Sequence, residues 1–284
     1  MRITSRANPR IQELRQLAQR KGREATGLFA VEGTRLVQEA VTLARQISLF
    51  IYTPELLSAE DLHWVVATLH RTAAASIQTT PEIMGLAFTR RDPPGVAALV
   101  RQRWENLTEV RLGEETCWIA LSEVQHPGSL GTVLRICDSV GGAGVILIGP
   151  STDPHDPTAV RSSLGAVLSQ RLVRTTPAQF QAWRQGRGYP VIGTSPAAGV
   201  DYARYRYPHP LVLLMGGERS GLPAELQAGC DEVVSIPMAG RVESHHLTVA
   251  TALVAYEVLN QRRLAPGERG QGLASWGSDA GDAR

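Results

Sequence analysis

The sequence predicts an α/β protein in two parts: a C-terminal domain built on a parallel sheet, preceded by a smaller mixed α/β domain. From Cys117 onward, near-continuous apolar runs alternate with helix-like stretches, the pattern of parallel strands covered on both faces. Ahead of them, shorter strand-like and helical patterns are mixed. Between the two lies a polar stretch, Gln102–Glu115, carrying Glu105, Glu109, Glu114 and Glu115. At 284 residues the chain is long enough for two cores. Hydrophobic content of 43% and charged content of 20% are those of a globular protein. No run approaches the roughly 18–20 uninterrupted apolar residues of a membrane span. The first residues lack the apolar core of a signal peptide, so a cytoplasmic location is expected.

In the first part, Asn8–Gln19 reads as a helix, with Ile11, Leu14 and Leu17 at helical spacing behind Asn8-Pro9 as cap and first turn. A second helix is expected over Thr34–Ala44, and strands over Ile47–Tyr52, Ala75–Gln78 and Gly95–Arg101. In the second part the strand-like runs are Cys117–Leu121, Val145–Ile148, Leu172–Val173, Val191–Ile192, Leu211–Met215 and Val233–Ile236. The alternating helices are Leu130–Val140, Thr158–Leu168, Ala178–Gln185, Ala224–Gly229 and Leu247–Arg262. The expected boundaries are therefore 1–102, a linker at 103–115, 116–264, and a disordered Gly/Ser/Asp/Ala-rich tail at 265–284.

Residues 1–45 hold nine basic side chains against four acidic ones. That is either a phosphate-meeting footprint or a solvated helix face. Cys117, Cys137 and Cys230 are odd in number and far apart, fitting neither a disulfide framework nor a zinc ribbon. His245-His246 has no Cys or Glu at ligand spacing, so no metal is expected. Gly141-Gly142-Ala143-Gly144 sits after a helix and before a strand. That order reads as a helix stop, not a dinucleotide loop.

Three other blocks carry more. Val124–Arg135 contains Ser129-Leu130-Gly131 and places Arg135 one turn later in an apolar helix. There the charge either pairs and snorkels or faces a ligand. Gly216-Gly217-Glu218-Arg219-Ser220-Gly221-Leu222 follows a buried strand and opens a helix, the place where open parallel sheets bind ligands. A plain tight turn is the alternative. Ile236-Pro237-Met238 likewise leaves a strand end, and Pro237 forces an irregular exit.

Together these blocks resemble the motifs of the SpoU/TrmH family of RNA ribose 2′-O-methyltransferases. That family's first motif runs Asn, Leu or Val, Gly, then an arginine, here Ser129, Leu130, Gly131 and Arg135. The second is Gly-x-Glu-x-x-Gly-Leu, matched by Gly216, Glu218, Gly221 and Leu222. The third has Ile-Pro-Met, a glycine, then Ser-Leu-Asn, here Ile236-Pro237-Met238, Gly240 and Ser244-His245-His246. The front half is similar to the family's substrate-binding domain through Ile3, Ser5, Asn8-Pro9, Leu14, Leu17, Arg20-Lys21, Arg23 and Val31-Glu32-Gly33.

The resemblance implies a SPOUT-type deep trefoil knot holding S-adenosylmethionine, a homodimer, and methylation of a ribose 2′-hydroxyl in structured RNA, ribosomal (23S-type) before transfer RNA. It implies catalytic roles for Arg135, on the 2′-hydroxyl and adjacent phosphate, and for Glu218 and Ser244. The cofactor would touch Thr194, Gly216, Gly217, Ile236, Met238 and His245, and RNA would touch Arg20, Lys21 and Arg23. Two departures stand out: Ser129 replaces the first motif's Asn, and His245-His246 replaces Leu-Asn. His246 then becomes a proton acceptor, or the protein is an RNA-binding assembly factor with a weakened or inactive site.

Overall fold

The computed structural model describes residues 2–72, 74–88 and 92–264, so the expected tail lies outside the described residues. The first sheet has β1 (Arg2–Ile3), β2 (Leu28–Glu32), β3 (Ile47–Tyr52), β4 (Ser76–Thr79) and β5 (Val96–Arg101), in the order β1-β4-β3-β5-β2. β1, β4 and β3 run parallel; β5 is antiparallel to β3 and β2. Its helices are α1 (Pro9–Gln16), α2 (Arg20–Thr26), α3 (Thr34–Thr42), α4 (Ala59–Thr72) and α5 (Pro81–Phe88).

Asn8 caps α1 by accepting from the Arg10 N–H at 2.9 Å. The helix stops at Gln16, short of the expected Gln19. Leu17, Ala18 and Gln19 bond back three residues, which tightens the turn. α2 then packs so closely that a Cβ on Gly22 would lie 2.1 Å from the Gln16 carbonyl oxygen. β2 escaped the sequence reading. It is a short alternating strand whose Phe29 and Val31 are fully buried.

The second sheet has β6 (Trp118–Ser122), β7 (Gly144–Ile148), β8 (Arg171–Thr175), β9 (Val191–Thr194), β10 (Val200–Asp201), β11 (Val212–Met215) and β12 (Glu232–Ser235). All are parallel, in the order β10-β12-β9-β11-β6-β7-β8. Its helices are α6 (Pro127–Ser139), α7 (Pro157–Ser162), α8 (Ala166–Ser169), α9 (Pro177–Arg187), α10 (Ala224–Ala228) and α11 (Leu247–Arg263). Ile119, Leu121, Leu213 and Met215 pack with α6 and α11 on one face. Trp118, Ala120, Val212 and Leu214 pack with α9 and α10 on the other. Burial on both faces is why the central strands β6, β7 and β11 are apolar at nearly every position. The chain lays β6, β7 and β8 side by side, then crosses back to β9. β11 later enters between β9 and β6, and β12 pairs outside β9.

The helix expected over Thr158–Leu168 is two, α7 and α8. Leu164 and Gly165 adopt left-handed backbone, φ 51° and 107°, and interrupt the hydrogen-bond ladder. The polar connection is a packed strap. Glu105 donates its N–H to Leu172 at 2.8 Å, alongside β8, and Leu107 and Val110 are buried in the second domain's core. No described helix is long and apolar enough to cross a membrane.

Candidate active site

A cavity of about 390 Å³ opens where β9, β11 and β12 end, against the start of α11. This is the carboxyl edge of the parallel strands beside the crossover, where open sheets bind ligands. Its volume falls within the roughly 300–1,000 Å³ of small-molecule sites. Thr194, Gly216, Gly217, Ile236, Met238 and His245, all expected on the cofactor, line it together with Glu218 and Ser244. Three loops distant in sequence therefore converge here.

The glycine loop is closed on itself: Gly217 and Gly221 exchange backbone bonds of 2.9 and 3.1 Å. A Cβ on Gly216 would sit 2.2 Å from the Gly221 carbonyl carbon, so only glycine lets the loop fold this tightly. The tip of this loop presents Glu218, whose side chain is 10% exposed. One oxygen, Oε2, accepts from the Gln125 N–H at 3.3 Å, and His126 Nε2 lies 3.9 Å from it. The other, Oε1, is buried with no partner among the described residues. A buried carboxylate oxygen left unpaired is costly unless a bound molecule satisfies it.

The structure does not bring every expected residue to the cavity. Arg135 is exposed on α6 and is not among the lining residues. At 1.5 Å per residue it lies about 12 Å along the helix from Pro127, two residues after the Gln125 that Glu218 touches. Ser129 is 7% exposed, packed within α6. His246 caps α11: its Nδ1 accepts from the Thr248 N–H at 3.3 Å and meets Thr248 Oγ1 at 2.9 Å. That correction assigns one ring nitrogen of the expected proton acceptor to holding a helix end.

With this geometry in view, comparison with known proteins is decisive. Residues 116–256 match the SpoU rRNA Methylase family, and residues 8–98 match the MRM3-like substrate binding domain. A 23S rRNA (uridine(2479)-2′-O)-methyltransferase of Streptomyces viridochromogenes is 31% identical over 92% of either chain. The chain belongs to the SpoU rRNA methylase family. The Bacillus subtilis 23S rRNA (guanosine(2553)-2′-O)-methyltransferase RlmP is 25% identical, over 90% of this chain and 98% of that protein. An AdoMet-bound rRNA methyltransferase from Sinorhizobium meliloti superposes with a TM-score of 0.86 at 32% identity, covering 93% of this chain and 99% of that one.

In this SpoU family member the expected RNA contacts divide. Lys21 and Arg20 are exposed, Arg20 bonding Glu24 at 2.7 Å and the Ser151 carbonyl at 3.1 Å. Arg23 is instead 2% exposed and bonds Asp153 at 2.7 Å, Leu17 O at 2.9 Å and Ala18 O at 3.0 Å. It joins the two domains and is unavailable to RNA. Sequence reasoning also missed His126, beside Glu218. Its signal was position, at the turn from β6 into α6 just before Pro127. Among the described residues, no cluster of His, Cys, Asp or Glu could hold a metal ion.

Proposed function

We propose that this protein methylates a ribose 2′-hydroxyl of ribosomal RNA, 23S-type, in the cytoplasm, with S-adenosylmethionine bound in the cavity at the ends of β9, β11 and β12. The observation that carries this is the convergence of the Gly216, Ile236-Pro237-Met238 and Ser244-His245 loops on one ligand-sized cavity. The residues present fit the cofactor: a glycine cradle that a side chain would fill, backbone groups at strand ends, and an unpaired buried acceptor on Glu218.

A 2′-hydroxyl is a weak nucleophile near neutral pH, so it must be oriented and relieved of its proton. When bound, S-adenosylmethionine supplies a methyl group on a positively charged sulfur. Glu218, fixed through Oε2 by Gln125, offers Oε1 to a donor on the bound molecules. Ser244, on the cavity wall, hydrogen-bonds within the pocket. Arg135 clamps the phosphate beside the reacting ribose.

The protein acts as a homodimer with a trefoil knot formed by the chain through β11, β12 and α11, and the working units are 1–102, the linker 103–115 and 116–264. Val249 and Tyr256 are exposed, 45% and 44%, one heptad apart on α11 beside α6. Pairing of this face buries them and lets Arg135 of the partner subunit approach a cavity that a subunit's own Arg135 does not line. A second reading, RNA binding without turnover, is favoured by Ser129 and His246 both being absent from the cavity wall. One experiment separates them: calorimetry with S-adenosylmethionine, and methyl transfer to unmodified ribosomal and transfer RNA with the ribose marks mapped. Cofactor binding with a mapped 23S mark is expected. Cofactor binding without transfer to any RNA establishes the second reading, and transfer to transfer RNA alone overturns the ribosomal assignment.

A further inference from the structure

A second cavity, about 750 Å³, lies at the far edge of the large sheet, between the strap after Trp104 and helix α9. At about 4.8 Å per strand, β8 is about 15 Å from β11, so this groove is separate from the methyl-donor cavity. Its wall is built on a stack. The Arg174 guanidinium lies 3.8 Å from the centre of the Trp104 ring, with Asp153 at 3.6 Å, and Arg174 stays 38% exposed. A planar cation held over a ring and still part-exposed can take another flat group on its free side.

The remaining polar groups are oriented as donors. Asn106 uses its oxygen, accepting from the Thr108 N–H at 3.1 Å and its hydroxyl at 3.0 Å, which leaves the amide NH2. Gln179 likewise uses its oxygen in the capping box of α9, at 3.1 Å from Thr176 N, leaving its NH2. Arg187 reaches across to the Thr108 carbonyl at 3.2 Å, with no carboxylate partner among the described residues. The one carboxylate in the wall, Glu105, is bound through both oxygens by Arg171 at 2.9 and 3.0 Å. Ala182 and Gly186, one turn apart, keep the helix face flat, and a Cβ on Gly186 would meet nothing within 4 Å.

A groove with a stacking plane, three further donor groups and a net positive lining suits a ligand that is flat, anionic and rich in acceptors. We propose that it binds one unpaired nucleotide of the substrate RNA, the base against Arg174 and the phosphate at Arg187, at a position flanking the methylated ribose. The proposal rests on the RNA methyltransferase reading. Exposed Arg20 continues the path onto the first domain, since it bonds the Ser151 carbonyl at 3.1 Å, on the loop whose Asp153 pairs with Arg174. Guanidinium stacking and unpaired bases are the usual means by which proteins read RNA.

The test is binding of a fluorescein-labelled single-stranded RNA 12-mer to the full chain, beside a fully paired hairpin of equal length. Ala182→Trp, which fills the groove from an exposed helix position, should weaken single-strand binding about tenfold, the worth of one stacked base. Arg187→Glu should do likewise and lower the salt slope by about 0.7. Asn106→Asp with Gln179→Glu keeps both caps while removing both donors, and should weaken binding severalfold with unchanged melting temperature. Hairpin affinity should change little. Single-strand affinity within twofold of wild type in all three variants overturns the proposal, as does a wild-type chain that binds neither probe. Calorimetry with S-adenosylmethionine on the same samples judges the enzyme reading separately, because none of these residues lines the donor cavity.

Discussion

Arg23 on α2 and Asp153 on the loop after β7 meet at 2.7 Å, with side chains 2% and 3% exposed, across the boundary between the two sheets. Around them Phe29 and Trp104 hold the His155 ring at centroid distances of 4.5 and 5.3 Å. Losing one partner of a buried ion pair strands the other, at a cost of about 3–5 kcal/mol. Arg23→Ala should therefore lower the midpoint of urea unfolding strongly. Lys21→Ala, by contrast, should leave it within error and weaken RNA binding instead. Equal midpoints for the two variants would return Arg23 to the RNA surface.

The same cluster makes stability pH-dependent. Burial pushes the His155 imidazole below its ordinary value, against the pull of Asp153, so it is neutral when folded. Burial pushes the Asp153 carboxyl up, but donors from His155 and Arg23 outweigh it and hold it well below the usual carboxylate range. In both cases the unfolded chain binds the proton more readily. Stability is thus full above about pH 6.5, falls as His155 protonates on unfolding, and falls again below about pH 4. Urea titrations from pH 8 to about pH 2 check this. His155→Phe should flatten the first decline, and a profile flat down to pH 5 in the unmodified protein contradicts the account.

Gly216→Ala should abolish the donor site while sparing the rest of the fold, because its Cβ strikes backbone at 2.2 Å, which no rotamer relieves. Calorimetry should show S-adenosylmethionine affinity falling more than tenfold, with the far-ultraviolet dichroism unchanged. Retained affinity would mean that the loop opens without cost.

For His246 the cap and the proton-acceptor roles separate cleanly. His246→Asn keeps a capping oxygen and should retain stability, whereas His246→Ala should lose about 1 kcal/mol. If methyl transfer follows stability across these two variants, the residue is a cap; if both lose transfer alike, the imidazole takes part in the reaction.

Arg135→Ala should remove methyl transfer and leave cofactor affinity and RNA affinity near wild type, since the side chain is exposed and outside the cavity. Mixing Arg135→Ala with Gly216→Ala subunits should restore part of the activity if one subunit's arginine serves the other's cavity. No recovery from the mixture would place the arginine in its own subunit's site.

The parts of this protein legible in its sequence are those with dense local patterns. Strands buried on both faces show as unbroken apolar runs, and β6, β7, β9, β11 and β12 all fall within or close to such runs. The six residues that the family resemblance put on the cofactor all line one cavity, and the glycine and proline of their loops mark strand ends that are visible in one dimension. Strand order, by contrast, depends on which apolar run enters the gap beside β6, and every run is equally apolar. β2 was missed because Leu28–Glu32 alternates over only five residues. Arg23 was misread because an arginine spent on a partner 130 positions away looks, in sequence, like any other surface arginine.

The strap that lies along β8 has a consequence for dissecting the molecule. With Glu105 laid against Val173, the outermost strand of the large sheet is shielded where it would otherwise offer open hydrogen-bonding groups. A recombinant fragment beginning at Thr116 would bare that strand together with the apolar seats of Leu107 and Val110. Such a fragment is built to stick to its own kind, and its poor solubility would say nothing about whether that half can fold alone.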